Sequence, residues 1–133
     1  DSDIWQNLRM FTERFQHWHD LDIHTSLPTG SLSLPLDRQR EVIRVVQEAL
    51  WNARRHSGTT ESALAASLDD LTGTIKIAIT DHGDGAERSQ LQQGQGLATM
   101  HARAERLDGK LSIHNDRGSG FRIELEFPAY ARN

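Results

Sequence analysis

The chain has 133 residues, 36% apolar and 26% charged, a balance that supports one compact domain with a modest core and a well-solvated surface. A formal net charge of −4 argues against a general basic field for nucleic acid or an anionic membrane, and leaves room for a local cationic pocket for phosphates. The absence of cysteine excludes disulfides and thiolate metal sites, and no apolar run approaches the roughly 20 residues that cross a bilayer.

Ile4, Leu8, Phe11, Phe15 and Trp18 recur every three or four residues and predict an amphipathic helix over 3–19. Trp5, Trp18, Phe11 and Phe15 are expected to pack rather than to stack on bases. LDIHTSL (21–27) alternates like a strand, and PTGSLSLP (28–35) reads as a loop. Residues 36–56 form the longest helix, with Asp37 near its start and Ser57-Gly58 closing it. ESALAASL (61–68) has a helical composition but is assigned as a strand, because a turn at 68–73 and the clean alternation of TIKIAIT (74–80) follow. A helix over 97–107, stopped by Gly109, precedes strands over 110–115 and 121–127, and DRGSG (116–120) forms the hairpin loop between them. Each of the later strands has one apolar face, which predicts a sheet covered by helices on one side and wet on the other.

The helix over 36–56 carries an anomaly. Glu48, Asn52, Arg55 and His56 fall roughly along one stripe of an otherwise apolar helix. They are either solvated residues, with Arg55 and His56 complementing the helix dipole, or the floor of a polar pocket. TDHGDGA (80–86) follows a half-buried strand; Gly83 and Gly85 let the backbone turn sharply, and Asp81, at the strand end, accepts hydrogen bonds only, so an amine such as that of adenine suits it. GQGLATM (94–100) puts Gly94 and Gly96 at a helix start, where free N–H groups and the dipole favour an anion such as a di- or triphosphate. The polar segment 87–93 between them could act as a lid. Each feature alone is weak, and GQGLAT does not match a dinucleotide-binding GxGxxG. Their order is the informative part.

Together these residues resemble the ATP-binding catalytic domain of sensor histidine kinases, most closely the nitrate/nitrite-sensor type. VVQEALWNARRHS is similar to that group's N box, ITDHGDGA to its G1 box, and residues 94–128 to its G2 box and last two strands. The resemblance covers about 21–128. It implies an α+β fold: the two-layer α/β sandwich with a left-handed crossover (the Bergerat ATPase fold shared with gyrase, MutL and heat-shock chaperones), a mixed sheet with helices packed on one face. It implies that Asn52 ligates Mg²⁺ bridging the ATP phosphates, that Glu48 orients or activates the attacking group, and that Arg55 and His56 line the phosphate side. It also implies that Asp81 binds adenine, that Gly83 and Gly85 support the base, and that Gly94, Gly96 and the adjoining Leu97 approach the phosphates. Burying Glu48 and Asn52 without partners would cost a few kcal/mol each. A metal-bound triphosphate provides those partners.

Two residues depart from the family pattern: Phe121 stands where threonine usually follows the last hairpin glycine, and Trp51 is large for its place. The first residue is Asp1, with no Met and no signal peptide, so the sequence is expected to be an excised fragment. Residues 1–20 are expected to lead in from a dimerisation and phosphoacceptor region, and 21–133 to form the catalytic domain. The parent is expected to be a homodimeric inner-membrane sensor with this domain in the cytoplasm, a response regulator as partner and no nucleic acid. HWHDL (17–21) lies too close to the first strand to serve as phosphoacceptor, so the fragment should bind ATP without phosphorylating itself. None of the seven histidines has His-x-x-x-His spacing on a helix, and a metal site built from them is not expected. The alternatives are a serine kinase of the anti-sigma-factor type with the same fold, and a degenerate partner-binding module.

Overall fold

The computed structural model describes residues 2–56, 60–81, 95–116 and 120–130. Strand β1 (Ser2–Asp3) leads into helix α1 (Ile4–His19), followed by β2 (Asp22–Ser26), β3 (Ser33–Leu34) and the long helix α2 (Leu36–His56). Then come β4 (Glu61–Asp69), β5 (Thr74–Asp81), helix α3 (Gln95–Arg106), β6 (Lys110–Asp116) and β7 (Gly120–Pro128). The five-stranded sheet has the order β2-β4-β5-β7-β6; β2 runs parallel to β4, and every other pairing is antiparallel. The expected α+β architecture with a mixed sheet is the observed one.

The sheet's parity explains its two faces. Leu64, Ile79, Ile123 and Ile113 stand in one cross-strand row, and Leu68, Ile75 and Phe127 in another. These residues point toward the helices and join Val42, Val45, Val46, Ala49 and Leu50 of α2 and Met100, Ala104 and Leu107 of the α3 region in one core. Helix α1 contributes Ile4, Trp5, Leu8 and Phe15 to the same core. The opposite face is laced by ion pairs, Lys76–Glu124 at 3.4 Å, Arg122–Glu124 at 3.0 Å and Lys110–Glu126 at 3.6 Å. Burial works to raise the Glu124 carboxyl, but the hydrogen bonds and charges of Arg122 and Lys76 prevail and hold it below the ordinary carboxylate value.

Three expectations need correction. The segment 28–35 is not wholly loop, because Ser33–Leu34 pairs antiparallel with Ser2–Asp3. Asp3 organises this corner: its Oδ1 accepts from Trp5 N (3.1 Å), capping α1, and from Leu32 N (2.9 Å). Trp18 does not pack; it is 75% exposed, because Phe11, Phe15 and His19, each four residues apart, form the ring-to-ring stripe instead. Finally, α3 begins at Gln95, and the residue that ends it is Asp108, not Gly109. Asp108 adopts φ +56°, donating to Glu105 O while Gly109 donates to Ala104 O, the paired bonds of a Schellman cap. Gly109 is needed for space: a Cβ there would strike the Glu126 carbonyl oxygen and come within 2.7 Å of Phe127 Cβ.

Candidate functional site

Helix α2 is anchored at its N-terminal end, and this fixes where its polar stripe lies. Arg38, 7% exposed, donates to Leu107 O (3.3 Å) and Pro128 O (2.6 Å), so the first turn of α2 sits over the Thr74–Pro128 end of the sheet. At the other end, Arg54 Nε donates to His19 O (2.9 Å), just before the turn into β2. Asp22 of β2 pairs with Glu61, beside the Ser62–Asp81 row. The last turns of α2 therefore lie toward the Asp81 end of β5. Helix α3 runs antiparallel to α2, since Glu41 near the start of α2 pairs with Arg103 (3.0 Å) and Arg106 (3.5 Å) near the end of α3. The N-terminus of α3, with Gly96 and Leu97, points back toward Glu48 and Asn52.

Three chain ends thus converge: the last turns of α2, the end of β5 and the start of α3. Asp81 has the parity of Ile75, Ile77 and Ile79, so its carboxylate faces the helices, and it is 2% exposed. Across the strands, its neighbours are Ser62 and Phe121, both buried. Ser62 Oγ donates to Thr80 O at 2.7 Å. Phe121 thus fills the place beside Asp81 with an aromatic ring.

On α2, Asn52 is 7% exposed, and its Oδ1 accepts a hydrogen bond from Arg55 Nη2 at 2.9 Å. The same Arg55 nitrogen lies 3.7 Å from Glu48 Oε1. The Arg55 guanidinium also sits 5.4 Å from the Trp51 ring centroid, and Trp51 meets His19 edge-on at 5.2 Å. One cation therefore spans the amide and the carboxylate of the stripe and is backed by an indole. Trp51, unusual for its position, has a visible role here. A buried amide oxygen one helical turn from a carboxylate is a hard donor set that fits Mg²⁺, which prefers oxygen and keeps several waters.

Glu48, Asn52 and Arg55 are brought together, and Asp81 is placed at the same end of the fold. His56 and Gly96 lie there by their helical backbone, and Leu97 is half-buried at the start of α3. Gly83, Gly85 and Gly94 fall outside the described residues, as do the 87–93 segment and most of the 116–120 loop. One cluster was not foreseen: ligand-type atoms of Asp22, His24 and Glu61 lie within 4.8 Å of one another on the exposed face. His24 Nε2 is 3.8 Å from Asp22 Oδ2. Helix spacing could not reveal this trio, because it spans two paired strands. No described helix is long and apolar enough to cross a membrane.

Residues 37–131 match the family described as histidine kinase-, DNA gyrase B-, and HSP90-like ATPase. The sensor histidine kinase LnrJ of Bacillus subtilis is 32% identical over 96% of this chain, and the nitrate/nitrite sensor protein NarQ of Escherichia coli 31% identical over 80%. The chain spans 31% of LnrJ and 19% of NarQ, less than a third of either. Among solved structures, the ATP-binding domain of PrrB from Mycobacterium tuberculosis superposes with a TM-score of 0.73 at 26% identity. That match covers 97% of this chain and 96% of the other. With the matched segment running from the first turn of α2 through β7, the chain belongs to the histidine kinase-, DNA gyrase B- and HSP90-like ATPase family, as an ATP-binding domain of the histidine-kinase kind.

Proposed function

We propose that this domain binds ATP with Mg²⁺ and, within a longer sensor histidine kinase, donates the γ-phosphoryl group to a histidine outside this chain. The phosphoryl group then passes to a response regulator. The parent is read as a homodimeric membrane sensor with this domain on the cytoplasmic side, of the nitrate/nitrite-sensor type; the similarity to NarQ agrees with that type, and the similarity to LnrJ leaves the sensed signal open. Residues 21–133 are read as the catalytic domain and 1–20 as its lead-in from the dimerisation and phosphoacceptor helices.

The observation that carries the proposal is the burial of Asn52 and Asp81, two polar groups set toward one end of a largely apolar fold, where the start of α3 also points. Asp81 accepts the exocyclic amine of adenine, and Gly83 and Gly85 support the base. Gly94, Gly96 and Leu97 lie along the phosphates, whose charge is met by the start of α3. Asn52 offers its amide oxygen to Mg²⁺, which when bound supplies charge neutralisation to the phosphate chain. Arg55 exchanges Asn52 Oδ1 for phosphate oxygen, with His56 beside it, and Glu48, released from Arg55, orients the attacking group. Transfer is then mostly positioning and charge stabilisation.

The test is titration calorimetry with ATP and GTP, with and without Mg²⁺. ATP should bind better than GTP, and Asp81→Asn should cost ~10–100-fold in ATP affinity, the worth of a hydrogen bond to a charged acceptor. Equal affinity for the two nucleotides would remove the role given to Asp81. Buried Phe121, next to Asp81, is the one observation that favours a non-catalytic partner-binding module. A melting temperature unmoved by saturating ATP would support that second reading.

A further inference from the structure

Helices α1 and α2 enclose a surface groove of about 390 Å³, away from the polar stripe of α2. Its floor comes from Met10 and Phe11 on one helix and Leu36 and Ile43 on the other. Leu36 is 62% exposed and Met10 40%, an unusual display of large apolar groups in a chain whose core already holds most of its others. The rim is cationic: Arg14 on α1 and Arg40 and Arg44 on α2 line it, and no acidic residue does.

These arginines stand apart from the rest. Arg38, Arg54, Arg55, Arg103, Arg106 and Arg122 and the lysines at 76 and 110 all have hydrogen-bond or ion-pair partners. Among the described residues, the only arginine or lysine side chains without one are Arg9 and the three on this groove. A protein of net charge −4 thus keeps, around an apolar trough, three cations that no described residue pairs with. The spacing Met10, Phe11, Arg14 on α1 and Leu36, Arg40, Ile43, Arg44 on α2 presents one stripe of each helix, the form that accepts a third helix.

We propose that the α1–α2 groove docks an acidic amphipathic helix of a separate partner protein, its apolar stripe on Leu36, Ile43 and Met10 and its carboxylates on Arg14, Arg40 and Arg44. The described helices of a second copy of this chain do not supply that helix. Outside ion pairs, each described helix carries a single acid (Glu13, Asp37 and Glu105), because Glu41 is held by Arg103 and Arg106, and Glu48 by Arg55. Carboxylate pairing at the rim would steer the approach and fix register, while the apolar contact supplies the area.

The probe is a fluorescein-labelled designed helix of about 18 residues, long enough to be helical, with leucines on one stripe and glutamates on the flanks. Two controls accompany it: the same design with lysines, and a scramble of the glutamate peptide. Fluorescence anisotropy against the 133-residue chain should show saturable binding of the glutamate helix, weakened by added salt, and at least about tenfold weaker binding of either control. Arg40→Glu with Arg44→Glu should weaken the glutamate helix by at least about tenfold and leave ATP affinity and melting temperature unchanged, because neither arginine has a partner among the described residues. Arg14→Glu, on the other helix, should act in the same direction. Equal binding of the lysine or scrambled peptide, or indifference to all three charge reversals, overturns the proposal. So does self-association of the chain in sedimentation that the Arg40/Arg44 reversal abolishes, since the groove would then serve a second copy.

Discussion

Helix α2 buries polar side chains near both of its ends, and the two sets are treated differently. At the N-terminal end, Arg38 and Gln39 are tied into the backbone: Arg38 to Leu107 O and Pro128 O, and Gln39 to Ser2 and to Leu34 O at 2.9 Å. Those bonds join four distant parts of the chain. At the C-terminal end, among the described residues, buried Asn52 accepts from an exposed, rotatable arginine, and Glu48 leans on the same arginine at 3.7 Å. Buried polar groups bound to fixed carbonyls serve as fasteners. A buried amide held by one movable side chain can change partners at small cost, which is what a binding site requires.

Substitutions at the two ends should therefore separate stability from binding. The largest effect is expected from Asn52→Ala, which should lower Mg²⁺-dependent ATP affinity by more than about 100-fold, beyond the typical loss from second-layer metal partners. Its melting temperature should stay within about 3 °C of the parent, measured by scanning calorimetry beside the titration. Arg38→Met should do the reverse: two carbonyls lose their donor, stability falls by ~2–4 kcal/mol and the melting temperature by about 10 °C, while ATP affinity of the folded fraction is retained. If Arg38→Met abolished ATP binding in fully folded protein, the division between fastener and site would fail. Trp51→Thr should be milder. Loss of the indole behind Arg55 should reduce ATP affinity about two- to fivefold, the range of an exposed cation–π contact.

The smallest effect lies on the wet face of the sheet. The Glu124 carboxyl is held below its unfolded value, so its contribution is fully present above the ordinary carboxylate value and is lost as pH falls through the lower folded value. Glu124→Gln should lower the melting temperature slightly at pH 7, by an amount equivalent to less than about 1 kcal/mol, and the difference should vanish in acid. A difference that persisted unchanged at low pH would show that packing, not charge, is responsible.

Much of this arrangement was legible in the sequence because it follows from period and parity. Asp81 continues the odd-numbered isoleucines of β5, so its inward direction could be read before any coordinates, and Glu48, Asn52 and Arg55 share a helix face by spacing alone. The weakly strand-like ESALAASL forms β4 because β2 and β5 pair with it on both sides, a tertiary effect that outweighs the preference of alanine for helix. What escaped had no periodic signature. Two-residue strands such as β1 and β3 cannot show alternation. The exposure of Trp18 depends on which face of α1 meets its neighbours, and the stripe runs through His19 instead. Gly109 looked like a helix stop because glycine is common there, whereas Asp108 took the left-handed backbone and glycine admitted a neighbouring strand. The Arg55–Asn52 bond and the α1–α2 groove depend on which residues distant in sequence meet, information that spacing does not carry.

The parallel seam between β2 and β4 has a kinetic consequence. The β4–β5 hairpin closes through a short turn in which Gly73 N reaches Asp69 O at 2.7 Å, so it needs no help from distant chain. The seam with β2 can be sewn only after the 21-residue α2 has been laid across the sheet to bring the strands side by side. Slow to assemble and edged by water, β2 should be among the first strands to exchange its amide protons, and the Arg54–His19 bond places that loosest margin of the sheet next to the turn of α2 that bears Asn52.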